Sequence, residues 1–542
     1  MKSARIATLG RDIRRFEHLL RCLEDLYQVR FVASNEPDQR SYDAAVLFGV
    51  SRTEALQCAR SGLRCLAFVR GQLRQPSSLS SEVSFAQTPY LSPCFRGAAI
   101  ADPSVKTLCD VVAEPADEVI ARIGKDVLWI HRPEGGSAAD LLAVTPPTLV
   151  HSDYLFSRFQ ENDWFSILPL LHFVREISGW TYPPVRACFM FDDPNLHWKS
   201  YGYISYKAML QDARKTNYHV SFATVPMDGW FVHRPTARLF TENDDRLSFL
   251  IHGNDHTHAE LHQTSGRSKQ TALAAKALRR IEHLEHVSGV RVSRVMAAPH
   301  GACSPEMATA LLRTGFEAAC ISRSSMMVRN PGSVWPESVG LNPAAFLGGL
   351  PIIPRFNIRG NLQIRVRFAA FLGQPVIPSG HHDDLQLGPE LVQRTAAVVN
   401  SIGEVRWRDL ATIARSNYCT RPEGDLLHVR MYSRLVQLRV PSGVTQLRVD
   451  RPWLGSDSSE ALAVQEGQSE VLSHESYRGQ VLTVSPECDL TIRAPYPDAV
   501  ALCDAPPSRT RLRAIVRRQL CEGRDRLRPT LDALSRLAGT SL

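Results

Sequence analysis

Six short apolar segments between residues 187 and 378 end in polar residues and are separated by helical stretches. The apolar segments span 187–191, 219–225, 247–251, 293–297, 318–322 and 375–378, and the clearest helical stretches span 269–287 and 305–313. Repeated alternation of strand and helix predicts an α/β fold, here a (β/α) barrel or a distorted barrel. In such folds the reacting groups gather where the strands end, at their carboxyl edge.

Residues 4–150 show a shorter alternation of the same kind. Apolar segments lie at 5–9, 29–33, 44–48, 65–69 and 127–131, with helical stretches at 13–26 and 53–61. This pattern predicts a small open α/β sheet. Neither Gly-x-Gly-x-x-Gly nor a phosphate-binding P-loop motif occurs, so dinucleotide and P-loop binding have no support. We expect an α/β accessory domain over 1–150 that is structural or positions a substrate.

The composition changes again beyond residue 425. Six short alternating segments between 429 and 484 are broken by Gly, Pro and Ser, which predicts an antiparallel β-sandwich. The predicted domain boundaries are 1–150 for the accessory domain, 151–420 for the barrel, 421–500 for the sandwich and 501–542 for a basic helical tail.

The tail combines many arginines with a row of apolar residues. The arginines are Arg509, Arg511, Arg513, Arg517, Arg518, Arg524, Arg526 and Arg528. Leu512, Val516 and Leu520 fall on one face of the predicted helix. Two interpretations follow from this pattern: an amphipathic helix that docks on the β domain, or a weak contact with an anionic membrane surface or polyanionic glycan.

Charge and cysteine content narrow the class of protein. The formal net charge is +8, from 63 Lys and Arg against 55 Asp and Glu, and the scattered positive charges do not predict a nucleic-acid partner. No uncharged apolar window of about 18 residues occurs, so we expect no transmembrane helix. The first residues lack the apolar core of a secretory leader. The twelve cysteines include no Cys-x-x-Cys pair, and we expect reduced thiols in a cytoplasmic protein.

Two adjacent carboxylates, Asp192 and Asp193, follow the apolar segment 189–191. Two carboxylates beside a buried strand are costly unless they bind a cation or share a proton. The alternative interpretation is an acidic turn that opens a helix.

A histidine cluster follows the apolar segment 247–251. His252 and His256 are four residues apart, which lets two imidazoles face one metal ion from a single turn. Asp255 is placed to hold a ring nitrogen of one of these ligands. His258 and His262 are the surplus histidines of the cluster.

Two further turns carry candidate residues. In Pro-His-Gly the flanking residues constrain the turn, so the backbone N–H of His300 is a candidate donor to a developing oxyanion. His381 and His382 precede two carboxylates, and a histidine near a carboxylate is a candidate general acid. Alternatively, Asp383 and Asp384 mark the start of a helix, where acidic side chains interact favourably with the positive end of the helix dipole.

Taken in order, these four motifs resemble those of the polysaccharide deacetylase family, the NodB-homology enzymes of carbohydrate esterase type. The family pattern opens with a strand that ends in Asp-Asp and continues with His-x-x-x-His. An Arg-x-Pro-x-Gly segment and a late His follow. The resemblance covers roughly residues 183–418. It implies a distorted barrel of NodB type and a metal-dependent N-deacetylase acting on an acetamido sugar of a glycan or glycan precursor.

The resemblance also implies roles for the residues that match the motifs. Asp193, His252 and His256 match the ligands of Zn²⁺ or another divalent metal ion.

The catalytic residues implied by the resemblance come from the same motifs. Asp192 matches the catalytic base, and the backbone N–H of His300 matches a group that helps hold the oxyanion. His381 or His382 matches the late general acid, with the spacing favouring His381. The implied partner is an N-acetylated carbohydrate substrate.

One position departs from the family pattern. The arginine of the third motif, which orients the base, is Ala297 here, and Arg355 is a candidate replacement from another strand. Two alternatives therefore stay open. A glycoside hydrolase would use paired carboxylates, Asp192 with Asp193 or with Asp383 or Asp384. A carbohydrate-binding or scaffold relative would keep the metal and lose turnover.

Overall fold

The computed structural model describes residues 3–10, 13–78, 80–150, 153–158, 162–262, 265–454, 459–467, 469–510 and 512–537. The chain divides into two compact units. The first comprises Met1–Thr181, Val334–Asn342 and Gln363–Phe371, and the second comprises Tyr182–Ser333, Pro343–Leu362 and Leu372–Leu542. The four domain boundaries inferred from the sequence stay a prediction.

The elements are numbered in chain order. The strands are β1 (Arg5–Gly10), β2 (Arg30–Ala33), β3 (Ala44–Val50), β4 (Cys65–Val69), β5 (Leu73–Arg74), β6 (Glu82–Phe85), β7 (Ala99–Ala101), β8 (Leu108–Cys109), β9 (Glu118–Ile123), β10 (Asp126–Glu134), β11 (Ser137–Leu142), β12 (Val185–Ala187), β13 (Phe189–Asp192), β14 (Ser200–Tyr201), β15 (Ile204–Ser205), β16 (Val220–Thr224), β17 (Leu247–His252), β18 (Val292–Ala297), β19 (Ala318–Ile321), β20 (Ala345–Leu347), β21 (Leu350–Pro354), β22 (Phe356–Asn357), β23 (Pro378–Gly380), β24 (Val405–Trp407), β25 (Tyr418–Glu423), β26 (Leu426–Met431), β27 (Leu435–Arg439), β28 (Gln446–Asp450), β29 (Glu460–Glu466), β30 (Ser469–Tyr477), β31 (Leu482–Thr483) and β32 (Asp489–Arg493). The helices are α1 (Glu17–Tyr27), α2 (Arg52–Arg60), α3 (Leu155–Arg158), α4 (Trp164–Ser178), α5 (Tyr206–Thr216), α6 (Arg234–Thr241), α7 (Arg267–Ser288), α8 (Pro305–Thr314), α9 (Arg323–Arg329), α10 (Leu362–Phe371), α11 (Glu390–Asn400), α12 (Leu410–Arg415) and α13 (Leu512–Leu537).

The first unit contains one nine-stranded sheet, in the order β2-β1-β3-β4-β11-β10-β9-β6-β7. The predicted strands β1 to β4 pair in parallel, as expected for apolar strands joined by helices. The remaining strands differ from the prediction, because β11, β10, β9, β6 and β7 form an antiparallel ribbon. Only β6 and β7 alternate exposed and buried residues, and of these five strands the sequence predicted only β10, as the apolar segment 127–131.

The second unit contains a nine-stranded sheet in the order β20-β21-β19-β18-β17-β16-β13-β23-β22. All neighbours pair in parallel except β20 with β21. One residue, Arg355, separates β21 from β22, although these strands lie near opposite ends of the order. The sheet must therefore curl until its two ends meet at Arg355. The α/β class is as predicted from the sequence.

Residues of the curled sheet alternate between two apolar environments. One buried cluster includes Met190, Ala223, Leu250, Val295, Cys320 and Ile353, each at most 1% exposed. The alternate positions of three neighbouring strands carry Phe191, Phe222 and Phe249, and the Phe222 ring lies 5.7 Å from that of Phe240 in α6. Burial of both faces explains why these strands are continuous apolar segments in the sequence.

Two four-stranded sheets, β25-β26-β28-β31 and β27-β32-β29-β30, share one apolar core in the region of the predicted sandwich. The sequence predicted antiparallel pairing throughout. The structure differs at one point, since β26 and β28 pair in parallel with Leu427 opposite Leu447. Alternation of side chains along a strand is the same for both directions of pairing, so the pattern did not distinguish them.

The C-terminal helix α13 is docked with the opposite face from the one expected. Leu512, Val516 and Leu520 are 75%, 50% and 70% exposed, whereas Arg518 is 3% exposed. Arg518 bonds to Asp193 and Arg528 bonds to Asp383, in the loops that follow β13 and β23. The prediction that an apolar face of this helix docks on the β domain was therefore wrong. Arg511 lies outside the described residues.

All twelve cysteines are free thiols. Among the helices of the described residues, none combines the length and apolar character needed to cross a bilayer.

Candidate metal centre

The carboxyl edge of the curled sheet gathers the residues singled out in the sequence. Asp192 ends β13 and His252 ends β17, while His300 lies in a turn just after β18 and His381 directly follows β23. These strands are parallel, so their carboxyl ends share one edge of the sheet.

Asp193, His252 and His256 converge on one point. Each offers one ligand atom, and these atoms all lie within 4.8 Å of one another. His256 Nε2 lies 3.6 Å from Asp193 Oδ1. His252 Nδ1 lies 2.9 Å from the carbonyl oxygen of Ala297, which leaves its Nε2 for an ion. One carboxylate and two imidazoles form a donor set that fits a divalent cation such as zinc.

The loop between the two histidines is held by Glu260, a residue that the sequence analysis did not select. The buried Glu260 carboxylate accepts backbone N–H bonds from Asn254 at 2.7 Å, Asp255 at 3.0 Å and His256 at 3.1 Å. A Cβ at Gly253, where φ is +62°, would collide with this carboxylate. The one feature of the sequence that could have indicated this role is the position of Glu260, an acidic residue four residues after His256.

Asp255 does not hold an imidazole, contrary to the expectation from the sequence. Its Oδ2 lies 3.0 Å from Lys276 Nζ and its Oδ1 lies 2.6 Å from Arg280 Nη1, both on α7. The backbone N–H bonds to Glu260 turn this side chain toward the helix. The ring of His252 is oriented by a backbone carbonyl instead.

Three candidate residues have left-handed backbone conformations. The φ angles are 85° at Asp193, 51° at His256 and 56° at His300. Such angles are unfavourable for residues other than glycine, and they concentrate where the surrounding structure fixes a functional geometry. Two of the three residues belong to the converging set of ligands.

Asp192 is paired with Arg355. Arg355 Nη1 donates to both carboxylate oxygens of Asp192, at 3.0 Å each. Burial raises the pKa of Asp192, but the positive charges of Arg355 and His252 outweigh it, so the pKa lies below its usual value. The structure thus brings a guanidinium to Asp192 although residue 297 is an alanine.

Arg518 of α13 contacts the same site and was not predicted to do so. Its Nη1 donates to Asp193 Oδ1 at 2.9 Å, and its Nη2 donates to Asp228 Oδ2 at 2.7 Å. Burial raises the pKa of Asp193, but Arg518 and His252 together hold it well below its usual value. No local pattern in the sequence links residues this far apart.

The ring of His300 lies beside other imidazoles, 5.8 Å from that of His256 and 5.2 Å from that of His258 between centroids. Burial and the charge of His258 lower the pKa of His300. His262 bonds instead to the carbonyl oxygen of Arg329, at 2.7 Å from its Nε2. The assignment of the His300 N–H to an oxyanion stays a prediction.

The two late histidines have different surroundings. His381 is exposed, and its imidazole lowers the pKa of both Asp192 and Asp193, so it lies within electrostatic reach of the pair. His382 is 4% exposed, and its Nε2 lies 3.7 Å from Asp525 Oδ1 of α13. His382 is therefore turned toward the helix.

No protein-family model matches the sequence, and no curated protein matches it either. Among solved structures, a proposed polysaccharide deacetylase from Mycobacterium smegmatis is similar over 44% of this chain and 92% of its own, with 16% identity and a TM-score of 0.31. A family 4 carbohydrate esterase from Streptomyces lividans, solved with acetate, is similar over 44% and 98%, with 11% identity and a TM-score of 0.25.

A β-galactosidase from Bacillus circulans is similar over 33% of this chain and 32% of its own, with 12% identity and a TM-score of 0.22. The similar structures are therefore described as different kinds of enzyme, and a similarity this weak does not distinguish between their reactions. The function of this chain must therefore be inferred from its own site residues.

Proposed function

We propose that the second unit is a metal-dependent N-deacetylase that hydrolyses the acetamido group of an N-acetylated carbohydrate. The observation that carries this proposal is the convergence of Asp193, His252 and His256 beside a separately held carboxylate, Asp192. Three ligands leave positions for water and substrate, as catalytic metal sites require. The order of the motifs, which resembles that of polysaccharide deacetylases, supports the choice of substrate.

Asp193, His252 and His256 would hold zinc or another divalent ion. Such an ion, when bound, supplies an acidic water and polarises a carbonyl oxygen. The backbone N–H of His300 would donate to the carbonyl oxygen of the acetamido group as that oxygen becomes negative.

Asp192 would accept the proton of the attacking water. The contact of Arg355 Nη1 with both carboxylate oxygens fixes the orientation of the carboxylate and keeps it ionised, as a general base requires. His381 would donate a proton to the departing nitrogen, because it is exposed and within electrostatic reach of both aspartates. His382 is a poorer candidate because it is buried against Asp525.

The glycoside hydrolase alternative has less support. A general acid in such a pair needs a raised pKa, but the pKa of Asp192 is lowered. Asp383 Oδ2 lies 2.8 Å from Arg528 Nη1, and Asp384 is paired with Arg359. The scaffold alternative was based on Ala297, and Arg355 supplies the charge that this position lacks.

Release of acetate from oligomers of N-acetylglucosamine tests the proposed function. The protein should release acetate and free amine, lose this activity with a chelator and regain it with added zinc. Release of reducing ends without acetate would instead indicate a glycosidase. Metal binding without release of either product from a panel of acetamido sugars would favour the scaffold alternative.

The pH dependence of kcat/KM should be bell-shaped, since Asp192 must be ionised and His381 protonated. Activity falls on the acidic side as pH drops through the pKa of Asp192. Removing Arg355 removes a charge that lowers this pKa, so Arg355→Ala should move the acidic limb to higher pH. Arg355→Lys keeps the charge and should move it less. An unmoved acidic limb in Arg355→Ala would contradict the assigned base.

Arg518 should oppose metal binding, because its guanidinium bonds to Asp193 Oδ1, an oxygen that the metal ion would also need. We expect Arg518→Met to tighten Co²⁺ binding by about tenfold or more, measured by titration of the metal-free protein. Arg526→Met is the matched control, since Arg526 Nη2 bonds to Asn195 Oδ1 at 2.8 Å. If both variants bound Co²⁺ more tightly to the same extent, the cause would be loosening of α13 and not the loss of the Arg518 contact with Asp193.

A further inference from the structure

Helix α13 exposes a continuous apolar face. We define its outward face as the exposed apolar residues Leu512, Ile515, Val516, Leu520, Leu527, Leu531 and Leu534. Their exposure ranges from 39% at Ile515 to 75% at Leu512. Their spacing places them on one side of a helix over roughly 33 Å of its length. A globular protein normally buries such a face.

The opposite side of α13 is docked by polar contacts. Arg518 Nη2 donates to Asp228 Oδ2 at 2.7 Å, Glu522 Oε1 lies 2.9 Å from His197 Nδ1, and Asp525 Oδ2 accepts from Tyr201 Oη at 3.0 Å. Arg518, Glu522 and Asp525 are 3–5% exposed. These paired charges hold the orientation of the helix and keep its leucines in solvent.

The acidic residues of α13 are all engaged, whereas some of its arginines stay exposed. Its three acidic residues all have partners in the second unit: Glu522 and Asp525 as described, and Asp532 through Gln386 Nε2 at 2.8 Å. Arg513 and Arg517 are exposed beside the outward face. An anionic partner therefore matches the surface. A second copy of this helix would bring arginines toward arginines without a free carboxylate.

Exposed aromatic rings lie near the docked side of the same helix. Trp230 and Phe231 are 65% and 44% exposed, and their ring centroids lie 5.1 Å and 6.0 Å from that of His197. His197 in turn bonds to Glu522 of α13. Because these rings lie by the docked side, the proposed contact depends on the outward face and the arginines beside it and not on them.

From these observations we propose that α13 binds an anionic membrane surface, with its axis in the headgroup plane and its outward face in the acyl boundary. A helix with leucines on one face and arginines beside them binds such surfaces through buried apolar area and electrostatic attraction. The charged docked side prevents the helix from crossing the bilayer. This inference is independent of the chemistry proposed for the metal centre.

Vesicle flotation of the full chain tests this inference. The protein should float with vesicles of phosphatidylglycerol and phosphatidylcholine in equal parts, and much less with phosphatidylcholine alone. Raising the salt from about 0.1 M to about 0.5 M should weaken the binding. Leu520→Ser/Leu527→Ser/Leu531→Ser should lower the partition coefficient by at least about tenfold.

A matched triple variant controls for the loss of exposed apolar residues in general. Val328→Ser/Val334→Ser/Leu387→Ser changes side chains that are 76%, 99% and 87% exposed elsewhere, and it should bind vesicles as wild type does. Arg513→Glu/Arg517→Glu should remove the preference for anionic vesicles. Circular dichroism checks that each variant is folded.

Three results would overturn the inference. One is a wild-type protein that floats with neither kind of vesicle. Another is vesicle binding that is unchanged in the leucine variant, which would place the contact on a different surface. The third is a dimer in solution that the leucine variant converts to a monomer without any vesicle binding, which would make a second copy the partner.

Discussion

Asp192→Asn should lower kcat for amide hydrolysis by about 10²–10⁴ and leave metal content near that of wild type. Asparagine keeps the shape of the side chain but removes the negative charge and the basicity of the carboxylate. The carboxylate of Asp192 is bonded to Arg355, whereas the converging ligand set consists of Asp193, His252 and His256. The loss should therefore appear in turnover and not in metal occupancy.

Acetate release and elemental analysis on the same preparation separate these two effects. Asp409→Asn is a suitable control, because it makes the same change at a partly buried aspartate that caps α12 by accepting from Ala411 N at 2.9 Å. Asparagine caps helices well, so this variant should keep full activity. An Asp192→Asn protein as fast as wild type would show that another group takes the proton.

The sequence predicted the part of the site that depends on strand direction. Asp192, His252 and His300 each follow an apolar segment, and parallel strands bring such positions to one edge. The prediction needed only the order of strands and helices, which hydrophobic periodicity records. The sequence also suggested Arg355, but its contact with Asp192 depends on the curl that joins β21 to β22.

The contribution of α13 could not be predicted in the same way. Periodicity correctly indicated a helix with an apolar face, but burial of Leu512 and Leu520 was the wrong inference from it. Paired charges such as Arg518 with Asp228 decide the orientation, and a pairing between distant residues leaves no local pattern. The same limit applies to Asp255, whose partners Lys276 and Arg280 lie on the following helix.

His252→Ala should reduce metal affinity by at least about 10²-fold. It removes one of three candidate ligand residues, each of which offers a single ligand atom. Activity should fall in proportion to occupancy and recover in part with excess metal, unlike that of Asp192→Asn. Titration of the metal-free protein with Co²⁺, followed by its absorption spectrum, measures both affinity and ligand type.

His283→Ala is the matched control for this experiment, since His283 is exposed on α7 and belongs to neither histidine motif. It should bind metal and release acetate as wild type does. If His252→Ala retained stoichiometric metal with an unchanged spectrum, the ion would be held elsewhere. The left-handed conformations of Asp193 and His256 would then need another explanation, because they are costly and serve here to aim two side chains at one point.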